Sequence, residues 1–149
     1  MFETCLQKQR RLLALFDNCL HEEAKYQKII ELGRQLPTMD GAQKIPANIV
    51  PGCQSTMYLH SKLDNGVVVF TASSDALISA GLAAVLIAVY NEETPDTILK
   101  CPPDFLDSLG IRASLTPSRA NGLYSIHLRM KQDALKHLIV KTQQEGNNS

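Results

Sequence analysis

The start of the chain carries apolar residues at helical spacing, which predicts two amphipathic helices. Asp17 or Asn18 offers a cap for the second helix, whose acidic first turn suits the positive end of the helix dipole. Pro37 ends this helix, because proline lacks the backbone N–H that a helix interior needs. The apolar stripe of the first helix consists of Phe2, Cys5, Leu6, Leu13, Phe16 and Leu20.

A β-hairpin is predicted between residues 56 and 72. Thr56 to Leu63 has alternating side chains, and Val67 to Ala72 is rich in β-branched and aromatic residues. The intervening Asp64-Asn65-Gly66 is typical of a tight hairpin turn. Residues 37–52, which precede the hairpin, hold three prolines and two glycines and are expected to form an irregular surface connection.

The segment ALISAGLAAVLIAVY, residues 76–90, is apolar nearly all round and predicts a central buried helix. Its 15 residues fall short of the about 20 that a bilayer core requires, so no membrane span is expected. Ser73, Ser74 and Asp75 supply side-chain acceptors for the start of this helix. Gly81 is expected to let a neighbouring element pack closely.

The remaining third of the chain predicts further helices. A short one runs from Pro103 to Leu109, and a long one runs from about Pro117 towards Lys141. The tail QQEGNNS, residues 143–149, has no apolar anchor and is expected to fray. The sum is a single α+β domain, residues 1–149, in which a small antiparallel sheet formed by the hairpin packs against several helices.

Charge and composition narrow the expected partners. Lys plus Arg and Asp plus Glu each number 15, so the net charge is zero and neither nucleic acid nor a membrane is an expected partner. The opening MFETCLQKQRR lacks the apolar core of a secretory signal, which favours a cytoplasmic location and reduced thiols. No C-x-x-C pair or short Cys/His spacing indicates a structural zinc site.

Four cysteines are candidates for thiol chemistry, and their settings differ. Cys5 and Cys19 fall on or beside apolar helix faces, where cysteine packs as a small hydrophobe. Cys101 precedes two prolines, and no neighbour suggests an activating group. Cys53 has flanks suited to presenting a thiol, since a reactive cysteine must be reachable and at least partly ionised.

The stretch VPGCQS surrounds Cys53 with turn-forming and polar residues. Pro51 fixes one backbone dihedral, and Gly52 removes side-chain bulk from one flank of the thiol. Gln54 and Ser55 offer polar groups on the other flank. Such a loop can insert its thiol into another protein's cleft, or it can simply turn the chain with the cysteine filling the base of the hairpin. The residues alone do not separate these two interpretations.

Four motifs, taken in order, resemble the SufE-type sulfur acceptors, which include the CsdE branch: YQKIIELGRQLP, VPGCQS, SSDALISAGLAAVLIAVY and LTPSRANGL. The resemblance runs from about Glu23 to Met130 and implies a SufE/IscU-like fold. It implies that Cys53 accepts sulfane sulfur from the persulfide of a SufS- or CsdA-like cysteine desulfurase and stimulates that enzyme. The sulfur would then pass to a SufBCD-like iron–sulfur scaffold complex, or to RNA modification in the CsdE manner.

The same resemblance implies that this chain binds no cofactor or metal, because the pyridoxal phosphate (PLP) belongs to the desulfurase. The protein would act as a sulfurtransferase-like partner, a monomer or weak homodimer, without small-molecule turnover of its own. Residues 47–55 are expected to form a mobile loop, so that a persulfide on Cys53 is sheltered until a partner docks.

The motifs also imply supporting residues. Asp75 matches the aspartate of the family's S-D-A segment, with helix capping as the alternative role. Arg119 matches the arginine of the S-R-x-N-G segment, with a surface ion pair as the alternative. Ser73 stands where many members carry aspartate, a departure that bears on loop mobility or donor docking. The supporting residues implied are Gly52, Gln54, Ser55, Asp75 and Arg119.

Two other functions compete with sulfur acceptance. A dyad of Cys53 with His60 or His127 would indicate a thiol hydrolase or an acyl transferase. An iron–sulfur scaffold of the IscU kind would need several cysteine or carboxylate ligands that converge on one site. The sequence places only Cys53 in a suitable position for such a site.

Overall fold

The computed structural model describes residues 2–147 and, within that range, contains seven α-helices and a two-stranded antiparallel sheet. The predicted α+β class is confirmed, because the helices are combined with a single antiparallel hairpin. The helices are α1 (Glu3–Leu15), α2 (Glu22–Arg34), α3 (Leu77–Tyr90), α4 (Pro95–Lys100), α5 (Asp104–Ser108), α6 (Ile111–Ser114) and α7 (Pro117–Asn147). The strands are β1 (Met57–Asp64) and β2 (Val67–Ser74), and two 3-10 turns, Gly41–Gln43 and Pro46–Asn48, precede them.

The hairpin forms where its turn residues predict it. Asn65 and Gly66 have φ angles of 50° and 84°, the left-handed backbone that a two-residue hairpin turn requires. The register pairs Asp64 with Val67 at the turn and continues to the far ends of both strands. Alternate residues are buried in the first half of β1 (Met57 and Leu59) and along β2 (Val68, Phe70 and Ala72), so one face of the hairpin packs on the core.

The central helix of the core is α3, as its apolar composition predicts. It contacts α1, α2, α7 and β2. Two glycines meet where α2 crosses it: a Cβ on Gly33 would lie 2.6 Å from the Gly81 nitrogen, and a Cβ on Gly81 would overlap the Ile29 carbonyl group. The predicted close packing at Gly81 is therefore confirmed, and it brings α2 beside the first turn of α3.

The boundary between the first two helices differs from the prediction. His21 caps α2, since its Nδ1 accepts a hydrogen bond from the Ala24 N–H at 3.2 Å, in place of Asp17 or Asn18. Leu20 lies outside the buried stripe and is 89% exposed. The apolar spacing of the first helix includes Leu20 in the sequence, but α1 ends at Leu15 and the chain turns before α2 begins.

The start of α3 also differs from the prediction. β2 continues through Ser74, and Ala76 takes the N-cap position with no side-chain cap. Ser74 Oγ accepts the Ala76 N–H at 3.3 Å, which closes a tight turn ahead of the helix. The predicted capping role of Ser73 and Asp75 is therefore wrong, and Asp75 is exposed at the junction.

The last helix is longer than predicted. It continues to Asn147, past the expected end near Lys141, so residues 143–147 of the predicted fraying tail are helical. Residues 148 and 149 lie outside the described residues. The side chains of residues 143–146 are exposed, so this extension depends on backbone hydrogen bonds and not on packing. Within residues 2–147, no helix combines the length and the apolar character that crossing a membrane requires.

Candidate functional site

Cys53 lies in a short loop held at both ends. We define the Cys53 loop as residues 51–56, between Val50 and Met57. The Val50 N–H donates to the Met57 carbonyl oxygen at 2.8 Å, and a β-bridge joins residue 49 to β1. Val50 and Met57 are both buried, so the loop leaves the core and returns to it across a single hydrogen-bonded pair.

Gly52 lets this loop pack against α7. Its φ of +88° lies in the left-handed region, which residues with a Cβ rarely adopt. A methyl group at this position would also overlap the Ser125 side chain on α7. The left-handed backbone therefore favours glycine immediately before the cysteine, and a Cβ there would also displace the Ser125 hydroxyl, because the chain turns onto α7 as it reaches the thiol.

The Cys53 thiol is half-buried beside α7. Its Sγ lies 3.9 Å from the Gly122 carbonyl oxygen, to which the S–H donates a weak hydrogen bond. Burial raises the pKa of the Cys53 thiol above its ordinary value, because apolar surroundings disfavour the thiolate. In this conformation the thiol is therefore protonated at neutral pH and is a poor nucleophile.

A cavity of about 560 Å³ opens beside Cys53. Its walls come from α2, the start of α3 and the start of α7, so three helices enclose the thiol side of the loop. The volume lies in the range of small-molecule sites and exceeds what one sulfur atom needs. The apolar lining consists of Ile30, Ala76, Leu77, Ile78, Leu82 and Ile126.

Most of the predicted site residues meet at this cavity. Cys53, Gln54, Ser55 and Arg119 all line it, although Arg119 is distant from the others in sequence. Ser55 Oγ lies 2.8 Å from Ser79 Oγ of α3, a hydrogen bond that ties the loop's second half to the cavity wall. The loop is therefore attached to α3 on one side of the thiol and to α7 on the other.

Arg119 is positioned by an aromatic ring. Its guanidinium carbon lies 5.9 Å from the centroid of the Tyr26 ring, within cation–π range. The Tyr26 hydroxyl in turn donates to the Ser114 carbonyl oxygen, which orients the ring. Arg119 is exposed at the cavity, whereas Asp75 does not line it and only precedes Ala76, which does.

Two contributors to the site carry no signal in the sequence. Ser79 and Ser125 are small polar residues within helices, and their roles arise from contacts with a loop that is distant along the chain. At Gly122 a Cβ would lie 3.9 Å from Cys53 Sγ, an ordinary contact, so space does not require glycine at this position. Its contribution is the carbonyl oxygen that faces the thiol.

The geometry offers little to the competing functions. His60 and His127 line other cavities than the one at Cys53. His127 is 8% exposed, stacks on Tyr90 with ring centroids 5.3 Å apart, and has its pKa lowered to about 4 by burial. Among residues 2–147, no group of three or more Cys, His, Asp and Glu side chains is arranged to hold a metal ion.

Gly52→Ala is expected to displace the Cys53 loop from α7. The left-handed backbone costs a residue with a Cβ roughly 1–2 kcal/mol, and the new methyl group overlaps Ser125. Alkylation of Cys53 by iodoacetamide in the native protein should therefore become several-fold faster. The matched control is Gly41→Ala, because a Cβ there meets nothing within 4 Å. An unchanged Cys53 rate in Gly52→Ala would contradict the steric fit of the loop.

The pH dependence of Cys53 alkylation tests the burial of its thiol. A raised pKa leaves less thiolate at any given pH, so the native rate should keep rising beyond about pH 8.5, the ordinary cysteine pKa. In urea-unfolded protein the rate at the same residue should level off near that ordinary value. A native profile that levels off at or below the unfolded one would argue against a sheltered thiol.

Comparisons with known proteins cover nearly the whole chain. Residues 10–134 match a family model described as SufE, Fe-S metabolism associated domain. An uncharacterised SufE-like protein of Synechocystis sp. is 35% identical over 136 residues, which cover 91% of this chain and 86% of that protein. SufE-like protein 1, chloroplastic/mitochondrial, of Arabidopsis thaliana is 34% identical over 142 residues; these cover 95% of this chain but 38% of that longer protein.

A solved structure shares the fold. The solution structure of a hypothetical protein from Thermus thermophilus matches with a TM-score of 0.73 at 25% sequence identity. The match covers 89% of this chain and 96% of that one. The helices and the hairpin described above are therefore an architecture that a natural protein is known to adopt.

Proposed function

This chain belongs to the SufE family, whose role is sulfur transfer in Fe–S metabolism, and we propose that Cys53 is the residue that carries the sulfur. The observation that supports this most directly is the setting of Cys53. Its thiol lies on a loop shaped by Gly52, beside a cavity lined by other residues of the family's motifs. The donor would be the persulfide of a cysteine desulfurase, the partner that the family implies.

In the transfer step one sulfur–sulfur bond breaks and another forms. The Cys53 thiolate attacks the terminal sulfur of the donor persulfide, the donor's sulfur–sulfur bond breaks, and its cysteine leaves as a thiolate. The proton that Cys53 loses is balanced by the proton that the departing thiolate takes up. The sulfane sulfur moves without net oxidation or reduction, so the step needs no external oxidant or reductant.

The half-buried thiol suits a carrier that reacts only with its partner. Burial keeps the pKa of Cys53 raised in the free protein, so stray electrophiles and disulfides meet a protonated thiol. Docking of the desulfurase would draw the Cys53 loop out of its position and expose the thiol. The cavity beside Cys53 has room for the added sulfur once the loop returns.

Exposed residues at the cavity are suited to contact the donor. Leu77 is 52% exposed, although it belongs to helix α3, most of which is buried. Arg119 holds a positive charge nearby on α7 and lines the same cavity. An apolar side chain beside a fixed cation offers a partner protein both a buried contact and a charge to pair with.

The rest of the proposed pathway lies with other proteins. PLP belongs to the SufS- or CsdA-like desulfurase, whose turnover this protein would stimulate by removing sulfur from the donor cysteine. The sulfur would pass on to a SufBCD-like scaffold complex. A cytoplasmic setting and a monomer or weak homodimer remain predictions, and the Arabidopsis relative is named for chloroplasts and mitochondria.

Sulfur mapping tests the proposal. The protein is mixed with a cysteine desulfurase and cysteine, and its cysteine-containing peptides are examined by mass spectrometry without reductant. We expect the mass of one added sulfur atom on the peptide that contains Cys53, and none when cysteine is withheld. Sulfur found on Cys19 in its place, or on no cysteine, would reject the assignment.

A further inference from the structure

The Cys53 loop and the segment before it lie along one face of α7. Gly122, Ser125, Arg129 and Asp133 are spaced three or four residues apart, so they share that face. The first two contact Cys53 and Gly52, as described above. The next turns of the helix therefore meet the residues that lead into the loop.

Arg129 holds this incoming segment by its backbone. Its guanidinium donates to the Ala47 carbonyl oxygen at 2.7 Å and to the Ile49 carbonyl oxygen at 3.3 Å. The guanidinium Nε also donates to Asp133 Oδ1 at 3.0 Å. The planar guanidinium can meet all three acceptors at once, because its five N–H groups point in fixed directions.

Asp133 is in turn held by β1. Its Oδ2 accepts the Ser61 hydroxyl at 2.8 Å, and Ser61 Oγ lies 2.9 Å from His137 Nε2. A hydroxyl has one proton, which Ser61 gives to the carboxylate, so His137 Nε2–H is the donor to Ser61. The side chains of Arg129 and Asp133 are only 17% and 10% exposed, so solvent screens the ion pair weakly.

We propose that Arg129 is a positioning residue that holds the Cys53 loop in its sheltered position. Residues 47–50 are fixed by the guanidinium and by the bridge to β1, so the loop's entry is fixed to α7. The rigid Pro51 transmits that position to Gly52 and Cys53. The movable part is accordingly residues 51–56, a shorter segment than the predicted 47–55. That this positioning by Arg129 serves sulfur acceptance rests on the proposed function.

Residue-by-residue alkylation tests the proposal on the free protein. Arg129→Ala should raise the rate of iodoacetamide reaction at Cys53 roughly tenfold, because it removes charge-assisted hydrogen bonds to the loop's entry. Arg129→Lys keeps the positive charge beside Asp133 but loses the planar set of N–H donors, so it should raise the Cys53 rate by less. Amide hydrogen exchange at residues 47–50 should accelerate in the same order.

Buried cysteines and a second arginine provide the controls. Cys5 and Cys101 are buried, so their alkylation reports general loosening of the fold. Arg112→Ala removes an exposed guanidinium that faces Asp107 and not the loop, and it should leave the Cys53 rate unchanged. An unchanged Cys53 rate in both Arg129 variants overturns the proposal. Equal acceleration at Cys5, Cys53 and Cys101 in Arg129→Lys also overturns it, because the effect would then be global.

A second measurement separates this inference from the proposed function. Alkylation needs no desulfurase, so its result stands whether or not Cys53 accepts sulfur. Sulfur loading of wild-type Cys53 by a desulfurase is then measured alongside it. Absence of sulfur on the wild type would reject the proposed function, whereas normal loading with unaltered alkylation in the Arg129 variants would reject only the positioning role.

Discussion

Cys53→Ser is expected to abolish sulfur acceptance from a cysteine desulfurase. A serine oxygen cannot form a persulfide, and the substitution removes the nucleophile without changing the shape of the loop. We expect loading of sulfur on residue 53 to fall below detection and stimulation of the desulfurase to disappear. Both are measured with the mixed proteins, the first by mass spectrometry and the second as alanine released from cysteine.

The control for this variant is Cys19→Ser. Cys19 is also partly buried, but it does not line the cavity at Cys53, so its replacement should leave loading and stimulation unchanged. Thermal unfolding of both variants should match the wild type closely. Full desulfurase stimulation by Cys53→Ser would show that sulfur takes another route through the protein.

Gly81→Ala is expected to lower the free energy of unfolding by about 3 kcal/mol, at the upper end of typical overpacking effects. The added Cβ would overlap the Ile29 carbonyl oxygen and lie 2.8 Å from the Ile29 carbonyl carbon. These are backbone atoms of α2, so no side-chain rotation relieves the contact and the two helices must separate. The measurement is urea unfolding at equilibrium, compared through the midpoint at constant slope.

Gly41→Ala serves as the comparison for this change too. A Cβ at Gly41 lies in open space. Both substitutions reduce the flexibility of the unfolded chain, but only Gly81→Ala creates a steric contact in the folded protein. Ile30 of α2 and the first turn of α3 both line the cavity, so Gly81→Ala should also increase Cys53 alkylation. Equal midpoints for Gly81→Ala and Gly41→Ala would contradict the close crossing of α2 and α3.

Local chemistry accounts for the features that could be predicted. The hairpin follows from Asn65 and Gly66, whose left-handed conformations turn the chain without help from distant residues. The apolar run at 76–90 had to be buried, and α3 occupies the core. Cys53 stood out because of its neighbours in sequence, and Arg119, which the motif match named, lies at the same cavity.

Features that depend on where secondary-structure elements end, or on which elements contact one another, could not be predicted. The cap of α3 is absent because β2 takes Ser73 and Ser74 into the sheet, an outcome that local capping preference does not reveal. The length of α7 was underestimated, because its polar residues 143–147 look like a tail but continue the helix. Ser125 and Arg129 gave no signal, since an ordinary helical sequence contains many such residues.

The sequence alone was thus sufficient to predict the fold class, the hairpin, the central helix and Cys53 as the candidate cysteine. Each of these depends on hydrophobic periodicity, turn chemistry or a sequence motif. The resemblance implied a sheltered sulfur, but only the tertiary structure decided which contacts shelter the thiol. The contact between Cys53 and Gly122 joins residues 69 positions apart, and the hydrogen bond from Arg129 to the Ala47 carbonyl oxygen joins residues 82 positions apart. The pKa of Cys53 and the position of its loop are set by such distant contacts, which only the folded chain brings together.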